Sequence, residues 1–172
     1  MYEIYADPET MEYWSNKPVS DLAGAEKLVQ DDVDWVANGH AVLWAITERG
    51  SEKALGKFCL FQFSKENGRA EVGYVLNRSH WGKGLMTEIA SAVIDFAFDD
   101  LALHRIEVDT DTENQGSLAL LEKLGFQHEG MFRQRWRVYG EWQDSAMLGL
   151  LKPEWEARLN SPKIRSPEVS DQ

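Results

Sequence analysis

The stretch from Ser79 to Ala90, SHWGKGLMTEIA, joins a glycine-rich bend to the start of a helix. Gly82 and Gly84 flank Lys83, and the helical spacing of apolar residues begins directly after them. The first N–H groups of a helix lack partners within the helix, and the helix dipole favours negative charge. The stretch therefore predicts either an anion site or a tight loop that only feeds a helix.

Two common nucleotide-binding motifs do not fit this stretch. The G-x-x-x-x-G-K-[ST] spacing of a P-loop is absent, and Gly82-x-Gly84-x-x-Thr87 lacks the third glycine of a dinucleotide fingerprint. The stretch also lies in the middle of the chain instead of opening a β-α-β unit. The remaining order of strand, bend and helix suits a diphosphate that is held by backbone N–H groups, with Lys83 nearby.

The segments on either side of the stretch predict alternating helices and strands. Asn67-Gly68 is a strong turn signal, so we expect 55–64 and 69–76 to form an antiparallel hairpin. The predicted elements are a helix from Asp7-Pro8-Glu9, a helix after Ser20, strands at 41–48, 55–64 and 69–76, a helix to about Phe98, a strand at 104–111, a helix at 115–124, and strands at 132–139 and 142–151. This order predicts an α+β, or mixed α/β, fold.

Length and composition indicate a single domain over residues 1–159. The chain has 172 residues, of which 43% are hydrophobic, and this is enough for a buried core. The tail 160–172, NSPKIRSPEVSDQ, is poor in apolar residues, and we expect it to be disordered.

Six apolar residues share one face of the second helix, which predicts that this face is buried: Leu22, Ala25, Leu28, Val29, Val33 and Val36.

Charge and cysteine content exclude several classes of protein. The net charge of −11 argues against nucleic acid as a partner, because phosphate backbones are bound by basic surfaces. Cys59 is the only cysteine, so neither an internal disulfide nor a cysteine-rich zinc site is expected. Four histidines are scattered without ligand spacing, and we predict no metal: His40, His80, His104 and His128. The sequence lacks a signal peptide and an apolar run of about 18 residues, so we expect a cytoplasmic protein with no membrane partner.

A second motif, NQGSLALLEKLGF at 114–126, changes the interpretation of the glycine-rich bend. Together with WGKGLMTE at 81–88 and the strand AEVGYVL at 70–76, it resembles the GNAT N-acetyltransferase superfamily. The likeness is to the Rim-type branch, which acetylates N-termini of ribosomal proteins, and it runs from about Tyr5 to Trp155. It implies a central, mostly antiparallel twisted sheet flanked by helices. A strand normally precedes the first helix in this family, and here that first strand is expected to be missing.

The resemblance implies that acetyl-CoA is the co-substrate and that the glycine-rich bend wraps its diphosphate. The cofactor-binding residues carried over by position are Val75, Leu76, Trp81, Gly82, Lys83, Gly84, Leu85, Met86, Thr87, Asn114 and Ser117. Trp81 stands where the general pattern has Gln or Arg, and this is typical of the Rim branch. We call the bend at 81–86 the cradle. Met86 stands where the family pattern has Gly or Ala, so its larger side chain would narrow the cradle.

Acetyl transfer to an amine needs a base for the amine, a donor for the thioester oxyanion and an acid for the leaving thiolate. The resemblance implies a backbone N–H of 73–76 as the oxyanion donor, with Val75 the first choice. It also implies that Ser117 is the general acid and that Asn114 bonds the pantetheine arm. From the residues alone, Asn114 equally predicts a helix cap and Ser117 a residue of the first turn.

Glu71 is the leading candidate for the general base because it lies on the strand beside the cradle, on the face opposite Ala70. Two alternatives stay open. Glu71 equally suits an exposed partner for Arg69 or Arg105, and water suffices as a base for an N-terminal amine. The other acidic candidates are Asp109, Asp111 and Asp144, the last with a structural role as the first interpretation.

The sequence thus predicts an N-acetyltransferase that transfers an acetyl group to a primary amine, either a protein N-terminus or a small amine, by direct attack without a metal. The alternatives are a non-catalytic module that binds acetyl-CoA and an interaction protein on the same fold. The acidic balance favours a cationic acceptor. A hairpin with Trp136 and Trp142 offers a surface for a homodimer, and a stripe of three arginines beside it suits solvent, coenzyme phosphates or an acidic partner chain: Arg133, Arg135 and Arg137.

Overall fold

The computed structural model describes residues 1–14 and 16–160, so the predicted disorder of 160–172 falls almost wholly outside the described residues. The helices are α1 (Tyr2–Tyr5), α2 (Leu22–Ala37), α3 (Leu85–Asp99), α4 (Gln115–Leu124) and α5 (Lys152–Asn160), with a 3-10 turn at Arg78–His80. The strands are β1 (Ala41–Thr47), β2 (Ala54–Ser64), β3 (Arg69–Leu76), β4 (Arg105–Asp111), β5 (Gln127–Val138) and β6 (Glu141–Leu151).

In the part of the chain that the structure describes, six strands form one sheet in the order β1-β2-β3-β4-β6-β5. Every neighbouring pair is antiparallel except β3 and β4, which run parallel. This confirms the predicted mixed α/β fold with a mostly antiparallel sheet, and it confirms the hairpin around Asn67-Gly68. Among the described residues, no strand precedes β1.

The parallel pair β3 and β4 separates soon after it begins. The two strands are in register only at Arg69↔Arg105, Ala70↔Ile106 and Glu71↔Glu107. β3 continues to Leu76 and β4 to Asp111, so both strands extend beyond the last paired position without facing each other. The result is a gap in the middle of the sheet that begins directly after Glu71.

The sheet buries a different apolar cluster on each face. The larger cluster packs β2, β3, β4 and β6 against α3, α4 and α5, and its fully buried members include Phe58, Leu60, Phe98, Ile106, Leu148 and Leu150. The smaller one joins Val75 of β3 to the N-terminal segment and α2, through Ile4, Tyr5, Met11 and Ala25. Because side chains alternate along a strand, Glu71 and Val75 lie on the face of α1 and α2, and Val72 and Tyr74 on the face of α3 and α4.

Several local predictions differ from the structure, and one of them is the start of β5, which begins at Gln127 instead of Phe132. The first helix is α1, which ends at Tyr5, and Asp7 instead accepts hydrogen bonds from the Thr10 N–H and hydroxyl in a series of turns. α5 was not predicted. On α2 only Ala25 is buried. The prediction of a buried face is wrong for four residues that are exposed, because α2 packs mainly along α1 and β1 and little else covers this face: Leu22, Val29, Val33 and Val36.

Lys57 joins β2 to α2 in a nearly buried ion pair. Its Nζ lies 2.6 Å from Oδ2 of Asp32, and the two side chains are 11% and 19% exposed. The Tyr5 hydroxyl donates to the same carboxylate at 3.3 Å. Removing one partner of such a pair leaves a buried charge without compensation, and this usually costs more than the pair itself contributes.

We expect Lys57→Met to lower the free energy of unfolding by about 3 kcal/mol in urea denaturation. Lys27→Met is the matched control, because Lys27 pairs with Asp31 on the same helix at 2.8 Å but both side chains are more than half exposed. The control should cost less than about 1 kcal/mol. Equal losses in the two variants would contradict a role for burial.

Candidate active site

A cleft of about 1000 Å³ opens where β3 and β4 separate. The predicted site residues that line it are Glu71, Val75, Leu76, Trp81, Gly82, Gly84, Leu85, Met86, Thr87, Asn114 and Ser117. Lys83 is exposed next to this lining without being part of it. A second, shallower hollow of about 400 Å³ lies on α2 and contains none of these residues.

The glycine-rich bend presents open backbone at the start of α3. Gly82 and Gly84 have φ of +70° and +78°, a region that favours glycine, and a Cβ at either position would meet no atom within 4 Å. The first helical bond there runs from the Glu88 N–H to the Gly84 carbonyl at 3.1 Å. The N–H groups of 85–87 therefore precede the intrahelical ladder, and this arrangement fits an anion such as a diphosphate.

Trp81 and Met86, the two departures from the family pattern, both have structural roles. The Trp81 indole N–H donates to the Leu76 carbonyl at 2.7 Å, which ties the bend to the end of β3. The Met86 side chain is partly buried and packs against the larger apolar cluster and against a third cluster that includes Ile46 and Leu55. Much of Met86 is thus directed into the protein, and its backbone N–H is one of the three that precede the ladder.

The register of β3 with β2 decides which backbone groups point into the gap. The Asn77 N–H donates to the Leu55 carbonyl on β2 at 2.7 Å. Backbone groups of an antiparallel strand alternate in direction, so Val75, like Asn77, points towards β2. Leu76 points the other way, towards the gap. The register therefore favours Leu76 over Val75 as a backbone donor in the cleft.

Glu71 is a partly buried carboxylate at the point where the gap begins. Its two suggested structural partners are engaged elsewhere, since Arg69 and Arg105 both pair with Glu107. In the part of the chain that the structure describes, no hydrogen bond or ion pair engages the Glu71 carboxylate. The pKa of Glu71 is raised from its ordinary 4.5 to about 7. Burial is the largest cause of this rise, and the negative charge of Asp109 is the second.

The other acidic candidates are held by structural hydrogen bonds. The Asp109 side chain is 4% exposed and accepts hydrogen bonds from three side chains of the β5–β6 hairpin: Arg135, Trp136 and Ser145. Asp111 and Asp144 each accept a backbone N–H at 2.8 Å. Of these four acids, Glu71 alone accepts no hydrogen bond from the described residues.

The start of α4 brings two hydroxyl groups together. The Asn114 side-chain oxygen accepts the Ser117 N–H at 3.0 Å, so the predicted helix cap is present and the amide NH₂ of Asn114 stays available to donate to a ligand. The Ser117 hydroxyl lies 2.5 Å from the hydroxyl of Tyr74. Tyr74 was not among the predicted site residues, although the alternation of β3 places it on the face opposite Glu71.

The cleft thus has a carboxylate on one face of the sheet and a hydroxyl pair on the other, with the gap between them. The described residues hold no group of three or more metal-capable side chains. Among them there is also no helix with the length and apolar character needed to cross a bilayer. The carboxylate on one face and the hydroxyl pair on the other suit a transfer in which one reactant gives up a proton to Glu71 and the other receives a proton on the opposite side of the sheet.

Comparison with known proteins identifies the class. The family model for the acetyltransferase (GNAT) domain matches residues 1–127. The chain is 36% identical over 153 residues to the uncharacterized N-acetyltransferase p20 of Bacillus licheniformis. This match covers 89% of this chain and 86% of the relative. It is 35% identical over 101 residues to the putative ribosomal N-acetyltransferase YdaF of Bacillus subtilis, with coverage of 59% and 55%.

The fold also matches that of a spermidine N-acetyltransferase from Vibrio cholerae solved in complex with CoA and spermine. The TM-score is 0.76 at 21% identity, with coverage of 90% of this chain and 89% of that one. The fold and the matches are those of an acyltransferase. This chain belongs to the GNAT acetyltransferase family, which confirms the predicted resemblance and the prediction that it is an N-acetyltransferase.

Proposed function

We propose that the protein transfers the acetyl group of acetyl-CoA to a cationic primary amine by direct attack, with Glu71 as the general base. The observation that carries the proposal is the unpaired, partly buried Glu71 carboxylate, with a pKa of about 7, at the start of the gap. A base whose pKa lies near the working pH is ionised and still basic enough to take a proton from an ammonium group.

The cradle supports acetyl-CoA as the co-substrate. Backbone N–H groups of 82–87 would hold the diphosphate, and the exposed Lys83 ammonium adds positive charge next to them. The open space around Gly82 and Gly84 fits the close approach of phosphate oxygens. The Asn114 amide NH₂ is the donor proposed for the pantetheine arm.

The remaining groups serve the acyl transfer itself. Glu71 accepts a proton from the amine, which then attacks the thioester carbonyl. The Leu76 N–H, directed into the gap by the register, would stabilise the oxyanion. Ser117 donates its proton to the thiolate as the C–S bond breaks. Base and acid act from opposite faces of the sheet, so neither needs to move between the two proton transfers.

The charge of the cleft supports a cationic acceptor. Its lining includes seven carboxylate side chains: Glu9, Glu12, Glu71, Asp109, Asp111, Glu113 and Asp144. The basic side chains among the lining residues are Lys123 and His80. An acceptor with a second positive charge would be attracted into this negative field. Polyamines and basic N-terminal peptides both have this property, and a relative binds spermine.

A thiol-release assay with acetyl-CoA tests the proposal over a panel of spermidine, putrescine, a basic peptide with a free N-terminus and a neutral amine such as ethanolamine. The cationic amines should have the higher kcat/KM. Their KM should rise severalfold between about 50 and 500 mM NaCl, because salt screens the attraction. Absence of thiol release with every amine would overturn the proposal, and a preference for ethanolamine would overturn the cationic acceptor.

A further inference from the structure

The 2.5 Å contact between the hydroxyl groups of Tyr74 and Ser117 joins β3 to α4 inside the cleft. Both residues line the cleft, and Tyr74 lies on the part of β3 that extends past its pairing with β4. The Tyr74 ring stacks on Phe58, with centroids 5.5 Å apart and an interplanar angle of 16°. This packing fixes where the phenol oxygen lies relative to Ser117.

The chemistry of the two hydroxyl groups sets the direction of the hydrogen bond. A phenol is a far stronger acid than an aliphatic alcohol, so it is the better donor, and the alcohol oxygen is the better acceptor. Burial raises the pKa of Tyr74 to about 12, so the phenol keeps its proton at any working pH. Tyr74 therefore donates to the Ser117 oxygen, and the Ser117 proton is left for another acceptor.

We propose that Tyr74 is a positioning residue that directs the Ser117 proton towards the leaving thiolate and stabilises the oxygen that loses it. This inference rests on the proposed function. As the C–S bond breaks, the sulfur takes the Ser117 proton, and negative charge develops on the Ser117 oxygen. The hydrogen bond from Tyr74 strengthens as that charge grows. The attacked nitrogen carries a positive charge and loses its second proton, through water, to the Ser117 oxygen. Glu71 releases to water the proton that it took from the ammonium group, and Tyr74 stays neutral throughout.

Kinetics of Tyr74→Phe, Ser117→Ala and the double variant test this inference with acetyl-CoA and a cationic amine. Tyr74→Phe keeps the ring that stacks on Phe58 and removes only the hydroxyl. It should lower kcat about tenfold with an unchanged KM for acetyl-CoA, the size expected for one hydrogen bond to a developing charge. In the Ser117→Ala background the same change should have no further effect, because Tyr74 acts only through Ser117.

Two further variants separate this role from a structural one. Tyr139→Phe is the matched control, because the Tyr139 hydroxyl also donates a hydrogen bond, to the Met11 carbonyl at 2.7 Å, but Tyr139 does not line the cleft. It should leave kcat unchanged. Ser117→Thr keeps a hydroxyl, so the tenfold effect of Tyr74→Phe should return in that background.

Three results would overturn the inference while the wild type remains active: an unchanged kcat in Tyr74→Phe, a tenfold loss that persists in the Ser117→Ala background, or an equal loss in Tyr139→Phe. Absence of turnover in the wild type would instead overturn the proposed function. The two failures are therefore distinguishable in one set of measurements.

Discussion

Gly84→Val should raise the dissociation constant of acetyl-CoA at least about 100-fold, as measured by isothermal titration calorimetry. Gly84 caps α3 with a φ of +78°, and a Cβ there would project into open space. A β-branched residue is strained at positive φ, so the bend would change conformation and the N–H groups behind it would lose their alignment. Loss of about 3 kcal/mol of diphosphate binding corresponds to this change in affinity.

Gly50→Val is the matched control for backbone strain. Gly50 has a φ of +82°, and a Cβ added there would meet no atom within 4 Å, but it lies in the loop between β1 and β2 and does not line the cleft. Both variants should lose similar stability, and only Gly84→Val should lose acetyl-CoA affinity. Equal affinity in the two variants would show that the bend does not hold the ligand.

Glu71→Gln should lower kcat/KM for a primary amine by about 100- to 1000-fold at pH 8, within the range that general base catalysis contributes. The base works only when ionised. The rate of the wild type should therefore rise with pH through the Glu71 pKa of about 7 and level off above it. A pH series of kcat/KM should show this limb in the wild type and not in the variant.

Glu12→Gln is the control for the charge of the cleft, because Glu12 also lines it. This variant should raise KM for a cationic amine and keep the limb near pH 7. A pH profile that is the same in Glu71→Gln and the wild type, at equal kcat/KM, would remove Glu71 from the mechanism and leave water as the base.

The same substitution should also stabilise the fold at pH 8. Burial raises the pKa of Glu71 in the folded state above its ordinary 4.5, so the folded protein holds the proton more tightly than the unfolded chain. Stability from this group is complete below pH 4.5 and is lost as the pH rises through about 7. Glu71→Gln removes that penalty. Because Glu71 is partly exposed, we expect a gain of about 1–2 kcal/mol in urea denaturation at pH 8 and none at pH 4.

Local signals in the sequence predicted much of the fold. Asn67-Gly68 predicts the β2–β3 hairpin because that pair adopts the tight turn readily, and the structure has strands on both sides of it. Gly82 and Gly84 predict backbone that only glycine adopts easily, and both have positive φ. Asn114 caps the start of α4 with its side chain, and Gly125 ends the helix with a positive φ. Both features follow from the residue type at that position.

Features that depend on distant parts of the chain were not predictable in this way. The apolar residues of α2 have the spacing of one helical face. Their burial depends on other elements packing against that face, and few of them do. The separation of β3 from β4 and the pKa of Glu71 depend on strands that are distant in sequence. The preference for Leu76 over Val75 needed the register with β2, because a shift of one residue reverses every backbone direction.

Amide hydrogen exchange with and without saturating acetyl-CoA tests whether the glycine-rich bend holds the diphosphate. We expect slower exchange in the peptide that covers 81–88 and at the end of β3, with no change in α2. Unchanged exchange in 81–88 at saturation, or protection confined to the hollow on α2, would contradict it.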